Sequence, residues 1–124
     1  MDSLAASSAC SVAAPGANTF YAVTDAGGAA GQPVLAHVFG GAAASVAPGA
    51  THFAAGDGHS SYRWTLTIPS GSTVSLLHFA VQREATDQTG ALAAAQALSA
   101  LADADALTGL SSDERARIVN FVVP

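Results

Sequence analysis

The stretch 61–82, SYRWTLTIPSGSTVSLLHFAVQ, constrains the fold more than any other part of the chain. Two β-prone runs flank a Pro-Ser-Gly-Ser turn that starts at Pro69, and that combination predicts a hairpin. Tyr62, Trp64, Leu66 and Ile68 alternate with Arg63, Thr65 and Thr67, so the first strand should have one apolar and one polar face. Val74, Leu76, Leu77, Phe79 and Val81 put apolar groups on both faces of the return strand, which should then be covered from both sides. Pairing Ile68 with Val74 across the turn sets Leu66 beside Leu76 and Trp64 beside His78.

Before this hairpin the chain reads as short strands separated by Gly- and Pro-rich turns. Residues 1–18 are Ala- and Ser-rich with Pro15-Gly16, which suits an arm or an edge strand, with a short strand through Ser11 to Ala14. TFYAVT from Thr19 to Thr24 is a β-branched and aromatic run that ends in a turn at Asp25. PVLAHVF from Pro33 to Phe39 is the next strand, opened by a proline that there costs no interior ladder bond. A further short strand is expected near Thr51 to Ala55.

After Glu84 the apolar period changes from two to about 3.6 residues. Thr86 or Asp87 can cap a helix whose stripe is Leu92, Ala95, Leu98 and Leu101, narrow enough for close packing on a sheet. Asp103 to Leu110 should turn the chain. Ser111 and Glu114 form a capping-box pattern for a short helix from Ser112 to about Arg117, and Ile118 to Val123 reads as a final strand. The expected fold is one mainly β domain over 1–124. It is an antiparallel, sandwich-like sheet with one or two C-terminal helices, in a helical segment at 86–118, packed on it.

The chain has 124 residues, half of them hydrophobic, enough for one buried core. There is no Lys, four Arg are present and the formal charge is −5, so no basic footprint exists for nucleic acid or an anionic membrane surface. Cys10 is the single cysteine, which excludes an internal disulfide and a cysteine-based zinc cluster. LAASSAC from Leu4 to Cys10 has neither the basic nor the apolar stretch that a lipoprotein signal needs before it, and no signal peptide is read in this chain. No uninterrupted apolar run is long enough to span a bilayer.

The succession TFYAVTD, PVLAHVFGG, a Tyr- and Trp-bearing strand, IPSGSTVSLLHFAVQ and LTGLSSDERARIVNF resembles a β-sandwich module of uncharacterised secreted or surface proteins from GC-rich bacteria. The resemblance covers the chain from about Asn18 onward and implies architecture and a secreted or cell-surface location more than chemistry. Such modules begin with further strands, so the resemblance also implies a start truncated at Met1. An open sheet edge would then be completed by a second copy, by strand exchange or by the arm folding back.

The most chemically equipped segment is HFAAGDGHSSY, which gathers His52, Asp57, His59, Ser60 and Ser61 in a Gly-flexible loop. Gly58-His-Ser-Ser-Tyr shares the first Gly and central Ser of the G-x-S-x-G pattern, but Tyr62 replaces the last Gly and a strand follows instead of a helix. As a catalytic set the residues would be Asp57, His59 and Ser60; as an ordinary loop they need no function. Turns at Asp25, at Asp57 and at Asp103 with Asp105 offer oxygen ligands of the kind calcium takes, although no EF-hand loop is present and Asp103-Ala-Asp105 is more simply a helix-ending turn. His37 and His78 lie between apolar neighbours, where hydrogen-bonded, half-buried histidines are the ordinary case. Tyr62 and Trp64 are either core anchors or an aromatic platform for carbohydrate. Arg115 and Arg117 with Asp113 and Glu114 read as a solvated helix face.

Two functions compete, with carbohydrate binding through Trp64 or Tyr62 as a third reading. The first is a noncatalytic structural or binding β-sandwich module of a secreted or surface bacterial protein, with a homodimer or strand-exchange partner. The second is a small hydrolase of esters or lactones, with or without calcium, that uses the His52–Ser61 loop.

Overall fold

The computed structural model describes residues 20–24, 32–53 and 60–124. The arm at 1–18, Cys10 and Asp25 lie outside the described residues. Seven elements are present among the rest: β1 (Tyr21–Thr24), β2 (Val34–Val38), β3 (Ala50–Phe53), β4 (Ser60–Arg63), β5 (Phe79–Arg83), α1 (Gln88–Ser99) and α2 (Ser112–Ala116). They form an antiparallel three-stranded sheet in the order β1-β2-β5, a separate antiparallel ribbon of β3 and β4, and two helices, with more residues in strands than in helices.

β2 is the central strand because it pairs with β1 on one side and β5 on the other. Val34, Ala36 and Val38 are buried while Leu35 and His37 are only partly so. The register aligns Val23, Ala36 and Val81 in one row and Tyr21, Val38 and Phe79 in the next, which gives the sheet a continuous apolar face. Helix α1 covers that face. Its two fully buried residues are Ala91 and Ala95, whose small side chains let the helix approach closely, and Leu92, Leu98 and Leu101 pack around them. Each fully buried valine or phenylalanine in this core contributes about 1.5–3 kcal/mol. Asp87 caps α1, as the sequence predicts, by accepting from the Gly90 N–H at 2.9 Å. A Cβ at position 90 would meet the Asp87 carboxylate in its present rotamer, so a larger residue there would require the cap side chain to shift.

The hairpin expected across Pro69 does not form a ladder. The turn itself is present, with the Ser72 N–H donating to Pro69 O at 3.0 Å and Gly71 at φ 78°, yet its two arms leave for different sheets. Tyr62 pairs with Thr51, and Phe79 pairs with Val38. The cause lies in the backbone groups of the return arm, which the C-terminal run occupies. Ser75 N–H donates to Arg117 O at 2.7 Å, Val119 N–H donates to Ser75 O at 3.1 Å, and the Asn120 side chain takes both backbone groups of Leu77. Backbone groups satisfied in this way are not free to pair with 66–68. Ile68 and Leu76, expected beside or inside the core, are consequently exposed.

The same bonds explain why Ile118–Val123 is not a strand. The run makes one parallel bridge, Ile118 with Ser75, and on its other side Val46 N–H donates to Val119 O at 2.9 Å. It threads between two loops instead of joining a sheet, and Phe121 ends it in the core, edge-on to Phe79 at 5.7 Å. Gly41 permits this passage: a Cβ at that position would stand 2.6 Å from the Ser99 carbonyl oxygen and 3.1 Å from the Phe121 ring.

Helix α2 has its predicted capping box, Ser111 with Glu114, and carries no buried residue. It does not pack on the sheet. Arg115 fastens it to the preceding turn, Nε donating to Leu110 O at 3.1 Å and Nη2 to Leu107 O at 2.8 Å, so this arginine is not part of a merely solvated face.

Candidate functional site

An aromatic and imidazole cluster forms where the β3–β4 ribbon reaches the end of the central sheet. β2 supplies His37, which the register places beside Ala22 and Ala80 on the side away from the α1-covered rows, and Phe39 follows two residues later. β4 supplies Tyr62, and Trp64 follows it by the same period of two. His78 arrives on the run into β5. The Tyr62 and Phe39 rings are stacked at 4.3 Å with planes 17° apart, and Trp64 meets Tyr62 edge-on at 5.3 Å. Tyr62 Oη and His78 Nε2 form a hydrogen bond of 2.6 Å, and the His37 and His78 rings are near-parallel at 6.0 Å.

The electrostatics keep this cluster uncharged near neutral pH. Burial raises the Tyr62 phenol above its ordinary value of 10.0. Burial lowers His37, and it lowers His78 with a smaller push from His37 beside it. A neutral phenol bonded to a neutral imidazole is not an activated nucleophile; the two polar atoms satisfy each other.

The other candidate residues are dispersed. Asp57 and His59 lie outside the described residues. Ser60 opens β4 opposite Phe53 in the ribbon register, and His52 pairs with Ser61. Asp103 and Asp105 are exposed in the turn after α1, where Asp103 Oδ1 accepts from the Asp105 N–H at 2.9 Å and Asp105 Oδ1 accepts from the Thr108 hydroxyl at 3.5 Å. Among the described residues no group of three or more His, Cys, Asp or Glu side chains is placed to hold a metal ion. Tyr62 and Trp64 do come together, but one face of Tyr62 is taken by Phe39, and the Trp64 Nε1 is buried without a hydrogen-bond partner. They are arranged as anchors more than as an open platform. At the opposite end of β2, an open cleft of about 500 Å³ is lined by Gln32, Gln82, Arg83, Glu84 and Asp87, a mixture of charges that selects no ligand class.

Asn120 is the structural residue that sequence reasoning missed. It is fully buried, and its side chain makes three bonds: Oδ1 accepts from the Leu77 N–H at 2.8 Å, and Nδ2 donates to Leu77 O at 2.7 Å and Phe39 O at 2.9 Å. Its only signal in the sequence is a lone amide inside the apolar run IVNFVV.

No family model, curated protein or solved structure matches this chain. Among the described residues, no helix is long and apolar enough to cross a membrane.

Proposed function

We propose that this chain is a noncatalytic β-sandwich module of a secreted or cell-surface bacterial protein, used for structure or for binding. The observation that carries the reading is the Phe39–Tyr62–His78 junction. It joins a residue following β2 to one on β4 and one preceding β5, and its polar atoms are spent on each other. Aromatic stacking of this kind ties one layer of a β protein to another. Among the described residues, β5 has a hydrogen-bonded strand on one side only, which supports completion of the sheet by a second copy or an exchanged strand.

The test is an ester- and lactone-hydrolysis screen of the full chain with and without chelator. It is run beside a polysaccharide titration read by the fluorescence of Trp64, the single tryptophan. The module reading expects no turnover. Hydrolysis that is lost in His59→Ala or Ser60→Ala overturns it in favour of the loop hydrolase. Sedimentation should show a dimer; a strict monomer whose β5 amides are protected from exchange counts against an added strand.

A further inference from the structure

The hydrogen-bond pattern of the central sheet shows which backbone groups of β5 are spent and which are not. The Phe39 N–H donates to Phe20 O at 2.9 Å, one step beyond Tyr21–Val38 in the β1–β2 register, so the bonded pairs of that ladder include Ala22–His37 and Thr24–Leu35. The alternate β2 residues Val34, Ala36 and Val38 therefore bond β5, through Arg83, Val81 and Phe79. The same alternation runs on before the strand, where Ser75 and Leu77 give both backbone groups to the C-terminal run. Leu76, His78, Ala80 and Gln82 are left pointing outward, with no backbone partner among the described residues. We propose that a second copy of this chain docks on this edge, β5 against β5 and antiparallel, about a two-fold axis at Phe79. The two three-stranded sheets then become one. The proposal rests on the module reading, whose open edge it fills with a named partner and a register.

The edge is unguarded. From Ser72 to Gln82 the chain has no charged residue, proline or glycine, the devices that ordinarily keep an exposed strand from pairing. Leu76, His78, Ala80 and Gln82 all have exposed side chains, with Leu76 at 41%. At the other edge of the sheet the outward residue of β1, Val23, already has a partner.

The edge is also complementary to itself. With Phe79 on the axis, Leu76 falls opposite Gln82 of the second copy and His78 opposite Ala80, and each pair exchanges two bonds, so every one of these outward groups finds a partner. On the α1 side Phe79 meets its own mate and Leu77 meets Val81, all three only partly buried in the single chain. Arg83 lands opposite Ser75, so no like charges face each other. A shift of two residues one way sets Leu76 opposite Glu84, whose carbonyl already accepts from the Asp87 N–H; a shift the other way sets the two His78 opposite each other and Val81 opposite Ser75. The helices do not obstruct the pairing. Helix α1 lies chiefly over β2, so the two copies of α1 stand three strand spacings apart, about 14 Å, wider than the roughly 8–10 Å of packed helices.

The test is sedimentation of the full chain at about 0.15 M salt, which screens the repulsion between two copies of formal charge −5 beyond about 8 Å. A concentration-dependent dimer is expected. Ala80→Pro removes an outward N–H while leaving the bonds to β2, so it should weaken the dimer at least about tenfold with an unchanged circular dichroism spectrum. If that variant does not fold, Ala80→Lys decides, since it sets a charge on the edge and keeps the N–H. The register is read by oxidation in a Cys10→Ser background. Leu76→Cys mixed with Gln82→Cys should form an intermolecular disulfide, because opposite residues lie about 5.5 Å apart. Either variant alone should not, because it stands about 20 Å from its own mate. The pairing is overturned by a monomer at all concentrations, by a dimer that Ala80→Pro and Ala80→Lys leave intact, or by a mixture that cross-links no more than its components. A monomer would still leave the noncatalytic reading in place, since that stands on the Phe39–Tyr62–His78 junction.

Discussion

Replacing Asn120 by alanine strips partners from three backbone groups at once: the Leu77 N–H, the Leu77 carbonyl and the Phe39 carbonyl. The site is fully buried, so water does not restore the bonds without opening the core. A buried backbone group left unpaired costs about 1–3 kcal/mol, with the N–H at the upper end because a carbonyl is more often tolerated under-satisfied. The sum is about 3–5 kcal/mol, a large share of the roughly 5–15 kcal/mol expected of a domain. Asn120→Leu fills the volume and should cost nearly as much, because it too leaves all three groups bare. Asn120→Asp separates bonding from packing. It keeps an acceptor for the Leu77 N–H but turns carboxylate oxygens toward two carbonyls, which should raise the introduced carboxyl's folded pKa. A group with a raised folded value contributes stability that is complete below its unfolded pKa and is lost as pH rises. This variant should therefore recover relative to wild type between about pH 7 and about pH 4, as its protonated form donates to one carbonyl. Urea unfolding, followed by Trp64 fluorescence and far-ultraviolet circular dichroism, measures each cost. A loss below about 1 kcal/mol for Asn120→Ala, or an Asp variant without recovery in acid, refutes the bonding argument.

Three further substitutions test local structure. Ala43 is exposed at φ 61°, a left-handed conformation that costs a residue with a Cβ about 1–2 kcal/mol, so Ala43→Gly should raise stability by up to about 1 kcal/mol in urea unfolding. Ser111→Ala removes the cap that accepts from Glu114 N–H at 3.3 Å and should cost about 1 kcal/mol, with faster amide exchange confined to α2 and its flanks. Arg115→Ala should cost about 1–2 kcal/mol by removing the guanidinium bonds to the Leu107 and Leu110 carbonyls, and Arg115→Lys should recover no more than half, since an ammonium lacks the fork that reaches both; thermal unfolding of the pair checks this.

What the sequence makes legible here is what neighbouring residues decide. The strand run in PVLAHVF, the Asp87 cap, the Ser111–Glu114 box and the Pro69 turn each depend on a few adjacent side chains, and each is present. The errors share one origin. Whether the Pro69 turn grows into a ladder depends on which distant segment claims the backbone of Ser75 and Leu77. That competitor is the chain's last turn of backbone, more than forty residues on. Nothing within 61–82 encodes the competition, so period-two alternation there fits a hairpin and the observed divided run equally well.

The candidate site was legible in its residue types and not in its grouping. Tyr62, Trp64 and His78 stand out as aromatic and polar residues in an apolar context, but hairpin register puts Trp64 against His78, whereas the ribbon's separation from the central sheet brings Tyr62 there instead. Phe39 enters the cluster only because β2 and β4 belong to different sheets whose ends meet. The consequence for function follows from that placement. A tyrosine in an open hairpin face would offer its ring to a sugar, while one stacked on Phe39 and bonded to His78 has given up a face and a hydroxyl to hold the two sheets together.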